Sequence, residues 1–275
     1  MKRGKPHKVL DKLGWLAGLP ERVFTLNPKA SNHEVSPETV DKLQRYLEEN
    51  DLGDVLVAVN DYDPKGQWQR LHENDRINPF WRYSVGTLTW LGYTLFPYRI
   101  VGGDEYNPFT NCLNVTSDVP ALVLAEAAYA KDIHSQTLPG AYGTMNTLPV
   151  LSLVRQVRAT SDVLGYTRLN QDWSGEKEAY HVLYSHVGST TFEPASHFVP
   201  VVGPFMSVGG ALVGQATGRT VTAILEPSRK QASAEAEGGG EKPTSAKVAS
   251  RKSADTPEDG GVVPAAFEEG RASKP

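Results

Sequence analysis

The sequence predicts an α+β fold in which a small sheet packs on a mainly helical C-terminal half. Residues 54–60 form a β-branched run between a glycine and a turn rich in Asp and Pro, which is typical of a buried strand. After Asp118, a cap candidate, and Pro120, apolar side chains recur at helical spacing. This spacing predicts helices at 118–132, about 148–166 and about 175–187.

Composition and charge exclude several classes of partner and site. The chain has 275 residues, of which 39% are hydrophobic, enough to build a core. Its net charge of -4 gives no global basic field, so we expect no nucleic-acid partner. The single cysteine, Cys112, excludes an internal disulfide and a multi-thiolate zinc site, and is expected to be buried. Charges interrupt the apolar stretch near the N-terminus, so we predict no signal peptide and a location in the cytoplasm or at the cytoplasmic face of a membrane.

Residues 1–30 are predicted to contain a short amphipathic helix. Its apolar face is formed by Val9, Leu10, Leu13 and Leu16. The other face carries Lys5, Lys8 and Lys12. Such a segment either docks on the rest of the protein or rests on an anionic membrane surface, and both alternatives stay open.

Two stretches of the N-terminal half carry local signals. Ser36 as N-cap, Pro37 at the first helical position and Glu38 in the first turn predict a helix to about Asn50. Residues 83–98 are uncharged and rich in Thr, Tyr, Trp and Gly, and are shorter than the roughly 20 residues that a spanning helix needs. Their composition favours strands or a hairpin.

The C-terminal part divides into two further segments. Residues 198–218 contain no charge and are long enough to cross a bilayer, but two prolines and five glycines weaken a helix there. Membrane insertion and buried packing are therefore both open, and three of the glycines, four residues apart, would allow close helix approach. From residue 226 the composition is typical of a disordered tail. The predicted organisation is 1–30, 31–197, 198–225 and 226–275.

One region of the sequence resembles a known family. Residues 106–111 read Tyr-Asn-Pro-Phe-Thr-Asn, and residues 124–130 read Leu-Ala-Glu-Ala-Ala-Tyr-Ala. This pattern resembles the site region of gluzincin-type HExxH zinc metallopeptidases, in particular predicted bacterial members in which such a strand precedes a helix reading Leu-His-Glu-x-x-His-Ala. The resemblance extends over about residues 10–220 and implies a zincin-like scaffold.

The metal-binding positions of that motif are replaced in this chain. Two His four apart on a helix hold Zn²⁺, and the Glu beside the first His activates a bound water. Here the matching positions read Ala125, Glu126 and Tyr129, and the third ligand position, a Glu in the family, reads Gln156. The resemblance therefore implies a vestigial site that holds no metal and no other cofactor.

The sequence thus predicts a catalytically inactive, metallopeptidase-like protein that acts by binding or regulation, with an unidentified protein or peptide as its partner. A peptide held in the old cleft without cleavage is one form of this hypothesis. One alternative is an active membrane-associated metallopeptidase whose site uses Glu126 with His134 or His181. Another is a membrane-tethered structural protein that contacts lipid through residues 198–218 and its basic N-terminus. Without the resemblance, Glu126 would be interpreted as a solvated or salt-bridged helix residue.

Overall fold

The structure is a computed structural model of the chain and describes residues 1–5, 7–96, 100, 103–198 and 203–238. It divides into two units, Met1–Ala232 and Ser233–Pro275, and only the end of one helix is described in the second. The first unit is a mixed α+β structure, mostly helical, with a small four-stranded sheet. The α+β class predicted from the sequence is confirmed.

The sheet lies at the centre of the N-terminal half. Its strands are β1 (Lys2–Arg3), β2 (Leu56–Val59), β3 (Glu105–Asn107) and β4 (Cys112–Val115). They lie in the order β1-β2-β4-β3, with β1, β2 and β4 parallel and β3 antiparallel to β4. Val57 pairs with Leu113 and Val59 with Val115, and all four side chains are buried. The strand predicted at 54–60 is confirmed as β2.

Four helices accompany the first strands. They are α1 (Lys8–Ala17), α2 (Leu19–Thr25), α3 (Pro37–Glu49) and α4 (Pro64–Glu73). The predicted cap of α3 is confirmed, because the Ser36 hydroxyl accepts a hydrogen bond from the Thr39 backbone N–H. The helix predicted within residues 1–30 is confirmed as α1, although it begins at Lys8 and leaves Lys5 outside. The same segment also contributes β1 to the sheet.

The prediction of strands at residues 83–98 is wrong. The chain there is helical, with α5 (Pro79–Trp81), a π-helical turn (Arg82–Gly86) and α6 (Thr87–Leu95). The signal for the start of this helical region lies just before residue 83. The Asn78 side chain accepts a hydrogen bond from the Phe80 N–H, and Pro79 occupies the first helical position of α5. Strand propensity depends on packing context, and it does not outweigh this signal. Residues 97–98 lie outside the described residues.

Long helices dominate the C-terminal half, as predicted. They are α7 (Pro120–His134), α8 (Pro139–Met145), α9 (Pro149–Leu169), α10 (Trp173–Phe198) and α11 (Gly203–Gly238). The helices predicted at 118–132, 148–166 and 175–187 are confirmed as α7, α9 and α10. α7 packs against α3, α9 and α10, so it forms the central helix of the unit.

Asp118 does not cap α7, contrary to the prediction. Val119 is the N-cap residue, and no side chain accepts a hydrogen bond at that end. Asp118 instead accepts hydrogen bonds from the hydroxyls of Ser36 (2.5 Å) and Thr39 (2.7 Å) at the start of α3. Burial alone would raise the pKa of Asp118, but these hydrogen bonds lower it to about 2. The carboxylate therefore joins the start of α7 to the start of α3.

The main core lies between the sheet and the helices that pack on it. Its largest fully buried side chains include Tyr46, Tyr106, Leu113, Ile133 and Leu183. Cys112 is buried as predicted, and burial raises the pKa of its thiol to about 11. A buried, neutral thiol is a packing residue rather than a nucleophile.

The uncharged stretch at 198–218 does not form one continuous described helix. It covers the last residue of α10, residues 199–202, which are not described, and the first part of α11. Among the described residues, every helix is too short or too polar to cross a membrane. α11 continues to Gly238, so residues 226–238, assigned from the sequence to a disordered tail, are helical. Residues 239–275 lie outside the described part.

Glycines bring α10 and α11 into backbone contact. A Cβ atom on Gly214 would lie 2.0 Å from the carbonyl oxygen of Tyr184, and one on Gly218 would lie 2.2 Å from that of Tyr180. No real Cβ atom approaches a neighbour so closely, so only glycine fits at these two positions. The glycine spacing therefore serves a close helix approach, which here is the packing of α11 on α10.

A substitution at this contact gives a direct test. Gly214→Ala is expected to lower the free energy of unfolding by roughly 1–3 kcal/mol, because the helices must separate to admit the methyl group. Gly209→Ala is the matched control, since it lies on the same helix with no atom within 4 Å of the added Cβ, and helix propensity should stabilise it slightly. Urea unfolding followed by circular dichroism measures both, and equal stability of the two variants would contradict the described contact.

Candidate functional site

The four positions singled out by the resemblance lie together. Ala125, Glu126 and Tyr129 share one face of α7, and Gln156 faces them from α9. All four line a single cavity of about 20 Å³. It is completed by Arg155, Ala159 and Thr160 of α9 and by Leu183, His186 and Val187 of α10. A cavity of this size holds about one water molecule.

Local structure explains why these side chains converge. Residues four apart on a helix point the same way, so Ala125 and Tyr129 face one direction, and Glu126 lies beside them. α9 packs against both α7 and α10, which brings Gln156 to the same place. The side-chain oxygen Oε1 of Gln156 is buried there and accepts no hydrogen bond from the described residues.

Arg155, which was not among the predicted site residues, lies in the site between Glu126 and Tyr129. Its Nη1 atom is 3.8 Å from Oε2 of Glu126, and its guanidinium carbon is 4.5 Å from the centre of the Tyr129 ring. The side chains of Arg155 and Glu126 are only 20% and 14% exposed. Burial alone would lower the pKa of Arg155, but Glu126 and Tyr129 raise it, so the guanidinium stays charged. A cation next to Gln156 in sequence was the one signal that could have pointed to it.

Glu126, the residue that matches the Glu of the resembled motif, contacts two other elements. Its Oε2 atom accepts a hydrogen bond from the backbone N–H of Tyr106 in β3 at 3.0 Å, and it faces the guanidinium of Arg155. A general base must reach the proton that it abstracts, through a direct contact or one water. Here the carboxylate joins a strand to two helices, which matches its interpretation as a salt-bridged residue.

The other polar residues of the cavity are neutral near pH 7. Burial, with a smaller effect of the positive Arg155, lowers the pKa of His186 to about 4. Burial raises the pKa of Tyr129 to about 12, and the opposing effect of Arg155 does not cancel it. The site therefore contains one cation and one carboxylate among neutral side chains.

These residues do not fit a zinc ion. Ala125 offers no donor atom, the neutral phenol of Tyr129 is a poor ligand, and the guanidinium of Arg155 would repel a divalent cation. Zinc sites use His, Cys and carboxylate ligands, and the described part of the chain contains no group of three such side chains placed to hold a metal.

The two histidines considered for a non-standard site lie elsewhere. His134 Nε2 is 3.1 Å from Oδ1 of Asn111. His181 Nε2 is 3.0 Å from the hydroxyl of Thr222 in α11. Neither of them belongs with Glu126 to a group of three possible metal ligands in the part of the chain that the structure describes.

Two further carboxyl groups, those of Glu21 and Asp104, lie near Glu126. Glu21 in α2 accepts a hydrogen bond from the hydroxyl of Ser31, and Asp104 accepts hydrogen bonds from the backbone N–H groups of Thr116 and Ser117. Burial, followed by the negative charges of Asp104 and Glu126, raises the pKa of Glu21 to about 7. Glu21 is therefore partly protonated at neutral pH.

Comparison with known proteins gives no further identification. No protein-family model matches the chain, and no curated protein and no solved structure matches it. The resemblance to gluzincins therefore depends on the residues quoted above.

Substitutions of Arg155 and Glu126 are expected to have strongly non-additive effects on the free energy of unfolding. Arg155→Met is expected to lower the free energy of unfolding by about 3 kcal/mol, because it leaves a buried carboxylate without its cation. Adding Glu126→Gln, which keeps an oxygen for the Tyr106 N–H, should recover part of that loss. Urea unfolding of both single variants and the double variant measures the coupling, and strictly additive losses would show that the pair does not interact.

Glu21 predicts a pH dependence with a definite sign. Its pKa is about 7 in the folded chain against an ordinary value of 4.5, so folding favours the protonated form and stability falls as the pH rises from about 4.5 to about 7. Glu21→Gln should therefore be more stable than the wild type by roughly 1–3 kcal/mol at pH 8 and equally stable at pH 4.5. The exposed Glu34→Gln is the control, and a stability difference between Glu21→Gln and wild type that does not change with pH would refute the prediction.

Proposed function

We propose that this chain is a non-catalytic, metallopeptidase-like protein that acts by binding, and that the guanidinium of Arg155 takes the place of the metal ion. The observation that carries this proposal is the position of Arg155, in contact with Glu126 and Tyr129 in the cavity that is lined by the three replaced motif positions and by Glu126. The family resemblance indicates where zinc would be bound, and Arg155 is the residue that carries a positive charge at that place.

Charge balance supports this proposal. A carboxylate that faces a divalent cation would be left buried and unpaired once the metal ligands are lost, and such a charge destabilises the fold. A guanidinium restores a positive charge at that place and needs no ligands of its own. Glu126 is then required by the structure, since it binds both Arg155 and the backbone of β3.

The chemistry of hydrolysis is missing from the site. A metal ion lowers the pKa of its bound water to about 7, whereas a guanidinium has no empty orbital with which to bind water as a Lewis acid. The cavity, at about 20 Å³, is also far smaller than a peptide, so the hypothesis of a peptide held in the old cleft finds no support. Partner binding is therefore expected on the outer surface of the protein.

Metal content tests the proposal. Wild-type protein purified without chelator is expected to contain almost no zinc. A variant carrying Ala125→His, Tyr129→His, Gln156→Glu and Arg155→Ala should bind about one zinc ion per chain, because it restores two His four apart and a carboxylate and removes the competing cation. Elemental analysis measures the metal, and circular dichroism checks the fold.

A matched variant makes the test specific. It keeps Ala125 and carries the other three substitutions, so it lacks one His ligand and should bind zinc at least tenfold more weakly, as expected for an incomplete set of ligands. About one zinc ion in the wild type would overturn the non-catalytic proposal. A folded four-residue variant without zinc would overturn the family resemblance at this site.

A further inference from the structure

The first two helices expose an apolar surface. Six large aliphatic residues, three from each helix region, are each 41–61% exposed. They are Val9, Leu13, Leu16, Leu19, Val23 and Leu26, which we name the N-terminal apolar surface. These six are all but one of the Val and Leu residues between positions 8 and 26.

The apolar stripe of α1 faces outward, unlike that of an ordinary surface helix. Val9, Leu13 and Leu16 follow helical spacing and form one stripe, but the buried residue of α1 is Gly14. An amphipathic helix of a globular protein normally turns its apolar stripe toward the core. α2 repeats the arrangement, with exposed residues at the same spacing. An apolar partner outside the chain would explain both stripes.

The rest of the protein holds this surface in place. The guanidinium carbon of Arg22 lies 4.5 Å from the centre of the Trp15 ring, and Arg22 also donates a hydrogen bond to the Trp15 carbonyl oxygen. At the end of α2, the Ser185 hydroxyl of α10 donates a hydrogen bond to the carbonyl oxygen of Phe24. The two helices are therefore joined to each other and to the body of the protein, and the surface is preformed.

Charge indicates the kind of partner. Lys5, Lys8 and Lys12 are exposed beside the stripe of α1. Residues 1–26 contain six lysines and arginines against two acidic residues, although the whole chain carries a net charge of -4. Lys2 is paired with Asp61 and Asp63, and Arg22 is buried, so the positive charge beside the apolar residues is that of the three exposed lysines of α1 and its start, which complements an anionic surface.

From these observations we infer that α1 and α2 bind an anionic lipid surface and lie in its plane. Aliphatic residues on one face with lysines at its edge are the features of interfacial helices. The aliphatic side chains enter the boundary between headgroups and acyl chains, and the lysines contact the negative headgroups. This inference is independent of the metal site, and either proposal can fail without the other.

Vesicle sedimentation of the full chain tests it. Wild-type protein is expected to bind vesicles of phosphatidylcholine with 30% phosphatidylserine at least tenfold more strongly than vesicles of phosphatidylcholine alone, because each lysine near an anionic surface adds to the affinity. Leu13→Glu with Leu16→Glu should abolish binding, and Lys8→Glu with Lys12→Glu should reduce it to the level of neutral vesicles. Both pairs are exposed, so the fold should survive, and circular dichroism checks this.

The matched control is Leu138→Glu with Leu169→Glu, two leucines that are 69% and 82% exposed elsewhere on the protein. This control should bind like the wild type. Wild-type protein that stays in the supernatant with the anionic vesicles would overturn the inference. Equal binding to neutral vesicles, or an equal loss in the control variant, would overturn it as well.

Discussion

The carboxylate of Glu126 holds three elements together at the centre of the fold. It projects from α7, accepts a hydrogen bond from the backbone of Tyr106 in β3, and faces Arg155 of α9. Because α7 also packs against α3 and α10, the position of the carboxylate depends on most of the first unit. Its pairing with Arg155 determines what the cavity can contain, since a buried cation excludes a second one.

Glu126 can be compared with the catalytic Glu of the motif that its helix resembles. In a metallopeptidase helix the Glu is understood through the water that it activates. In this chain the same position is explained by protein contacts alone, because the N–H of an edge strand and a buried guanidinium both need an acceptor. The contacts with Tyr106 and Arg155 therefore account for a Glu at this position.

Much of the fold was predictable where the signals were local. The cap at Ser36, the β-branched run of β2 and the helical spacing in α7, α9 and α10 all lie within single elements. That Ala125 and Tyr129 lie on one face of α7 was predictable because residues four apart on one helix must face the same way. The strands predicted at 83–98 failed because strand propensity depends on neighbours that the sequence does not identify. The cap predicted at Asp118 was wrong and Arg155 was not among the predicted site residues for a similar reason, since the partners of both lie on other elements.

The glycine contact between α10 and α11 also bears on how the protein folds. Each glycine within a helix weakens it by about 1 kcal/mol relative to alanine, so the first part of α11 is a poor helix by itself. The same glycines allow the close approach to α10, where the backbones of Gly214 and Tyr184 nearly touch. Helix formation in this segment therefore depends on docking. That dependence favours a folding order in which α10 forms first and serves as the template on which α11 becomes helical.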